Sequence, residues 1–267
     1  MLITFIGGGN MATALISGLA NPPRAHLKIR VCDPSAGARA HLENTFGIKT
    51  FSHAAAAVEG ADIIVLAIKP QNMPAVLEEI KGRVQPQQLV LSIAAGITIA
   101  SISNELGAGP SVIRSMPNTP ALIGHGITGV VAGPDCTGNQ CEQAEEVLSA
   151  AGEVVWLDDE SLMDAVTAIS GTGPAYFFLL AEALAAAARE LGLNSETADR
   201  LASMTCFGAG AMLASSPGEA EELRRRVTSP GGTTQAAMVI MENGRFSELV
   251  IRAAKAARDR SRELALQ

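Results

Sequence analysis

The first twelve residues constrain the fold more than any other stretch. Leu2-Ile3-Thr4-Phe5-Ile6 is a short apolar run that passes without a polar spacer into Gly7-Gly8-Gly9-Asn10-Met11-Ala12. A run of that length bounded by glycine reads as a buried strand, and the residues from Asn10 onward carry helical spacing. A strand that turns into a helix through three glycines has to lay that helix back on its own sheet. The glycines fit G-x-G-x-x-A. Gly7 permits the tight turn, Gly9 lets a diphosphate approach the backbone, and Ala12 keeps the helix close to the sheet. We therefore expect Gly7, Gly8, Gly9, Asn10 and Met11 to cradle a dinucleotide. The spacing alone is a weak sign, and a purely structural glycine turn is the alternative.

The downstream pattern gives the motif its weight. Strand-like runs at Ile29-Cys32, Ile63-Ile68, Leu89-Ile93, Val112-Arg114, Ile127-Ala132 and Glu153-Leu157 alternate with helical candidates near 10–20, 35–45, 71–81, 98–106 and 138–151. This alternation predicts a mostly parallel, Rossmann-type doubly wound α/β sheet over residues 1–157. After Trp156 the strand signals stop. Helices are expected near 160–169, 174–191, 195–214, 217–226, 234–242 and 246–264, with breaks at Gly192, Pro217 and Gly244. Residues 158–267 are thus expected to form an all-helical C-terminal domain.

A net charge of -7 and 3% aromatic residues offer neither an electrostatic footprint nor stacking platforms for nucleic acid. Cys32, Cys136, Cys141 and Cys206 are scattered without metal-ligand spacing, so no metal site is expected, and reduced thiols suit a cytoplasmic protein. The N-terminus lacks the basic region of a signal peptide. Ala175 to Leu193 matches a membrane span in length only. Glu182, Arg189 and Glu190 interrupt it, which predicts a buried helix of a soluble protein and no membrane partner.

In open α/β sheets ligands bind at the carboxyl ends of the strands. Asp33 stands where an acid binds an adenosine ribose, yet Ser35 and Arg39 follow closely enough to hold a 2′-phosphate, and Asp33 can equally cap the next helix. NAD and NADP both stay open on these residues. Ala67-Ile68-Lys69-Pro70 and Ser92-Ile93-Ala94-Ala95-Gly96 end two further strands, and Ala67, Lys69, Pro70 and Ala94 are expected to touch the cofactor. Arg114 to Pro120, with Asn118 at its centre, is expected to line the nicotinamide or substrate pocket.

Two motifs carry the chemistry of the second half. Val227-Thr228-Ser229-Pro230-Gly231-Gly232-Thr233-Thr234 leads into the apolar helical run Ala236 to Met241. A helix start leaves its first N–H groups unpaired and partly positive, and paired glycines admit a ligand to the backbone. This is a socket for a small carboxylate or phosphate. Ser170-Gly171-Thr172-Gly173-Pro174-Ala175-Tyr176 offers hydroxyls at a second expected helix start, with a plain glycine-proline turn as the alternative. None of the four histidines falls in these motifs, and no nucleophile signature is present. Reduction of a ketone wants a proton donor, whereas a protonated imine accepts hydride at carbon directly. A site of amides and hydroxyls suits the second reaction.

With these segments together, the chain resembles the pyrroline-5-carboxylate reductases over essentially its whole length. The resemblance rests on Phe5 to Met11, Ala67 to Pro70, Ser92 to Ile97, Met116 to Pro120, Ser170 to Tyr176 and Val227 to Thr234. It implies reduction of 1-pyrroline-5-carboxylate to L-proline with NADPH, or with NADH. It implies a helical dimerisation domain, and hence a homodimer or larger homo-oligomer. It also implies substrate carboxylate binding by Ser229, Gly231, Gly232, Thr233 and Thr234, with Thr234 near the ring nitrogen as the catalytic residue. The family often has serine where Asp33 and Thr172 stand. A β-hydroxyacid dehydrogenase is the competing enzyme, but the helix after Gly173 lacks the lysine which that resemblance requires. A non-catalytic NAD(P)-sensing module is the competing binding protein.

Overall fold

In a computed structural model of the chain, which describes residues 1–265 apart from Pro23, Ala108 and Pro217, strands and helices alternate through the first half as β1 (Leu2–Ile6), α1 (Asn10–Ala20), β2 (Lys28–Cys32), α2 (Ala36–Phe46), β3 (Lys49–Phe51), α3 (Ala54–Ala57), β4 (Ile63–Leu66), α4 (Met73–Ile80), β5 (Leu89–Ser92), α5 (Ile99–Leu106), β6 (Ser111–Met116), β7 (Gly126–Ala132), α6 (Gly138–Leu148) and β8 (Gly152–Trp156). They build one sheet in the order β3-β2-β1-β4-β5-β6-β7-β8. All pairs are parallel except β6 with β7. The strand order reverses at β1, between β2 and β4, which is where a doubly wound sheet opens its ligand crevice.

The near-continuous apolar strands follow from burial on both faces. On β4, Ile63 and Val65 pack into the core layer that holds Phe5, Leu15 and Ile16, while Ile64 and Leu66 face the layer with Leu77, Ile80 and Val90. Each such side chain contributes about 1.5–3 kcal/mol of burial. Strand β3 was not expected. It has three residues at the sheet edge, too few for a period to register, and it carries Lys49, a charge that discourages edge pairing.

The second half contains α7 (Met163–Val166), α8 (Gly173–Glu190), α9 (Ser195–Ser215), α10 (Ala220–Arg226), α11 (Thr233–Asn243) and α12 (Phe246–Ala265). Instead of a glycine-proline turn, a π-helical turn over Thr167–Gly171 joins α7 to α8, with Thr172 N–H donating to Thr167 O at 2.8 Å. The hydroxyls of Thr167, Ser170 and Thr172 donate back to Met163 O, Val166 O and Thr167 O, at 3.0, 3.0 and 2.9 Å. These bonds let the helical backbone continue through a sequence that reads as a break. Gly192 ends its helix in the left-handed region as expected, but at the break expected at Gly244 the left-handed residue is Arg245, one position later. The break expected at Pro217 lies outside the described residues.

The chain forms two compact units, residues 1–172 with the stretch from Ala257 onward, and Gly173–Ala256. In the second unit α8 and α9 pack through Ala185, Ala198 and Ala202, with Arg189 and Asp199 paired at 2.7 Å. Here the structure corrects the sequence reading. The helix expected to be buried leaves Phe177, Phe178 and Leu179 57–66% exposed. The run Glu160–Glu190 is long and apolar enough to cross a membrane by length and composition alone.

Candidate active site

The glycine loop sits where three strand ends meet. Gly7 adopts φ +102° and donates to Cys32 O at 2.7 Å, and a Cβ on it would stand 2.3 Å from Ala67 O. Only glycine serves there. A Cβ on Gly8 would stand 2.7 Å from Leu42 Cδ1, whereas one on Gly9 would meet open space. Gly9 also caps α1 without a side-chain hydrogen bond, and no acid lies in that first turn. Asn10 and Met11 follow as the first residues of α1. The uncapped N–H groups and the room beside Gly9 fit a diphosphate.

At the end of β2, Asp33 receives two backbone donors: Gly8 N–H on Oδ2 and Ser35 N–H on Oδ1, both at 2.8 Å. Of the two roles open to it, helix capping goes to Ser35, whose hydroxyl accepts from Ala38 N–H at 3.3 Å. Arg39 Nη1 donates to Asp33 O at 2.7 Å and to Pro34 O at 3.0 Å, which holds its cation beside the strand end. Burial pushes the neighbouring Cys32 thiol up to about 11, helped by the Glu79 and Asp33 charges.

The ends of β4, β5 and β6 lie side by side. Ala67 N–H donates to Ile6 O at 2.8 Å, Lys69 and Pro70 are exposed, and buried Ala94 donates to Ser92 Oγ at 3.3 Å. Ser115 Oγ donates to Ser92 O at 2.9 Å. Arg114 is 6% exposed and donates to Glu160 Oε1 at 2.9 Å, an atom that also accepts Ile99 N–H at 2.9 Å. Asn118 is 7% exposed, and its carboxamide spans from Ser170 O to Ile127 N–H, at 3.1 and 3.0 Å. Among the described residues no cluster of His, Cys, Asp or Glu is arranged to hold a metal.

The 229–234 loop belongs to the second unit. Gly231 has φ +70°, and Gly232 N–H donates to Ser229 O at 3.0 Å, closing the turn. Gly232, not a hydroxyl residue, is the N-cap of α11, and no side chain caps it. Gln235 instead reaches back to accept Gly231 N–H at 2.6 Å. Gln235 stands three residues past the N-cap, the spacing of a capping box, but its carboxamide takes the N–H one residue earlier, because Gly232 N–H is already bonded to Ser229 O. Thr228 spends its hydroxyl on Arg224 O at 2.7 Å. Those of Ser229, Thr233 and Thr234 make no hydrogen bond among the described residues, and with the first N–H groups of α11 they suit a small anion.

Two family models match the chain. Residues 2–96 match the one described as NADP oxidoreductase coenzyme F420-dependent, and residues 160–264 match pyrroline-5-carboxylate reductase dimerisation. The pyrroline-5-carboxylate reductase of Pseudomonas aeruginosa is 49% identical over 99% of this chain and 97% of its own. A Coxiella burnetii pyrroline-5-carboxylate reductase structure superposes with a TM-score of 0.93 at 39% identity, covering 98% of this chain and 97% of the other. A Plasmodium falciparum pyrroline carboxylate reductase with NADP bound gives a TM-score of 0.85 at 29% identity, covering 99% and 98%. With the glycine loop, the π-turn motif and the 229–234 socket all lying within full-length similarity of this order, the chain belongs to the pyrroline-5-carboxylate reductase family.

Proposed function

We propose that this chain is a cytoplasmic enzyme that reduces 1-pyrroline-5-carboxylate to L-proline, the last step of proline biosynthesis. The observation that carries the substrate is the uncapped start of α11 beside the hydroxyls of Ser229, Thr233 and Thr234, which have no hydrogen-bond partner among the described residues. Its N–H groups bind the carboxylate, and the Thr234 hydroxyl is aimed at the ring nitrogen as the catalytic contact. Gly231 and Gly232 supply backbone without side chains where the ring approaches. A protonated C=N is already electrophilic at carbon, so the residues orient the ring and exclude water rather than transfer a proton.

Residues 1–157 serve as the dinucleotide domain and 158–267 as the substrate and dimerisation domain. The cofactor is NADPH, with NADH as the alternative, and when bound it supplies the hydride. Gly7, Gly8, Gly9, Asn10 and Met11 hold its diphosphate. Asp33, Ser35 and Arg39 stand at the ribose end, the Arg39 cation favouring a 2′-phosphate. Ala67, Lys69, Pro70 and Ala94 border it along the strand ends.

The working form is a homodimer or a larger assembly of such dimers. No residue of α10 or α11 is buried, and α11 and α12 expose Val239, Ile240, Leu249 and Ile251. A second copy covers these faces and that of α8.

Loss of NADPH absorbance with pyrroline-5-carboxylate tests the reaction, with NADH in parallel and a β-hydroxyacid plus oxidised cofactor as the comparison. Turnover of the hydroxyacid and none of the imine sinks the reading.

A further inference from the structure

Pro174 has no N–H to offer the carbonyl four residues back, so Ser170 O lacks the donor that an α-helix would provide. The donor comes from elsewhere: Asn118 Nδ2 approaches Ser170 O at 3.1 Å. The same carboxamide accepts Ile127 N–H at 3.0 Å, so both of its ends are used. Gly171 completes the contact. A Cβ there would stand 2.7 Å from Met116 Cε, so the turn lies directly against the last residue of β6. Ser170 is also part of the π turn, where Thr167 O receives both the N–H and the hydroxyl of Thr172.

We infer that Asn118 is a positioning residue. It stands in for the missing Pro174 N–H, fixes the π turn, and through that turn sets the loop at the carboxyl ends of β5 and β6 for hydride transfer. It is not a cofactor ligand. The effect on turnover rests on the reaction proposed above, but the effect on the turn does not. A half-buried carbonyl that loses its donor is costly, so removing the carboxamide loosens the turn. A displacement of about 1 Å at a reacting centre lowers turnover on the order of 100-fold.

The test compares wild type, Asn118→Ala, Pro174→Ala and the double variant as full chains. Amide hydrogen exchange in the 167–176 segment is expected to accelerate in Asn118→Ala. It is expected to slow again in the double variant, where Pro174→Ala restores a backbone N–H that can donate to Ser170 O. With pyrroline-5-carboxylate, kcat is expected to fall roughly 10- to 100-fold in Asn118→Ala and to recover most of that loss in the double variant. Kd for NADPH stays within about twofold throughout. Asn118→Asp, which keeps the acceptor for Ile127 and removes the donor for Ser170, replaces the alanine variant if that chain does not fold. Unchanged exchange, or recovery absent in the double variant, overturns the inference. So does a large rise in Kd for NADPH with kcat intact, the mark of a cofactor ligand. If wild type fails to turn over the imine, the proposed reaction falls and the exchange data alone judge Asn118.

Discussion

Asp33 Oδ2 accepts a hydrogen bond from Gly8 N–H at 2.8 Å and thereby ties the glycine loop to the end of β2. The other oxygen holds Ser35 N–H, so one carboxylate fixes both the glycine loop and the start of α2. A hydrogen bond to a charged group contributes about 1.5–3 kcal/mol, and about 1.4 kcal/mol is tenfold in affinity. Asp33→Ala is expected to weaken NADH binding at least about tenfold. NADPH binding should fall less, since the substitution also removes a negative charge that opposes a 2′-phosphate. Titration of both cofactors by fluorescence checks this, and equal losses for the two would show that Asp33 only braces the loop.

Gly9 and Gly7 separate cofactor effects from folding effects. Gly9 has open space where a Cβ would stand, so Gly9→Val leaves the apo chain folded and obstructs the diphosphate. Weaker NADPH binding by about tenfold or more, with an unchanged melting temperature, is the expected result. At Gly7 a Cβ would collide with Ala67 O from a backbone at φ +102°, so Gly7→Ala lowers stability itself. If Gly9→Val binds NADPH normally, the diphosphate is held elsewhere.

The doubly wound order was legible because strand periodicity and glycine punctuation are local, and β1, β4 and β5 are buried so completely that their composition is unambiguous. What escaped the sequence depends on distant partners. Nothing near Arg114 in the sequence foretells its bond to Glu160, forty-six residues later. The π turn stayed hidden because glycine and proline signal a break, while the bonds that carry the helix through come from Thr167, Ser170, Thr172 and Asn118. The apolar length of α8 suggests burial, but among its described residues only Gly173 and Ala185 are buried.

The Arg114–Glu160 pair anchors the first turn of the helical half to the sheet. Removing one partner of a buried pair costs about 3–5 kcal/mol. Glu160 keeps some contact with water, so Glu160→Ala is expected nearer about 2–3 kcal/mol, including the loss of its bond from Ile99 N–H. Urea denaturation measures it. A loss below about 0.5 kcal/mol would place the pair among ordinary surface bridges.

Cys32 predicts a stability loss at alkaline pH with a definite sign. Its thiol is raised from 9.0 to about 11 in the folded chain, chiefly by burial. Between those values the unfolded chain releases the proton while the folded chain keeps it. The unfolded state then binds fewer protons, so stability falls as pH rises through this window and is unaffected below it. Urea midpoints for wild type should drop more steeply across the interval from 9.0 to about 11 than those of Cys32→Ala, whose other titrating groups are the same. Parallel slopes would mean that the thiol ionises as readily folded as unfolded.

Thr234 sits at the second position of α11, half-buried, with a hydroxyl that bonds to nothing else among the described residues. It does not cap the helix, because Gly232 is the N-cap and Gln235 takes the Gly231 N–H. Thr234→Ala therefore has no internal hydrogen bond to lose, and alanine is the stronger helix former. The folded chain and its melting temperature are expected to stay the same. If the hydroxyl orients the imine, kcat with pyrroline-5-carboxylate falls roughly 10- to 100-fold while Kd for NADPH holds. Thr234→Ser, which keeps the hydroxyl, should retain most of the activity. Equal kcat for the alanine and serine variants would remove Thr234 from the chemistry and leave the backbone N–H groups of α11 as the substrate contact.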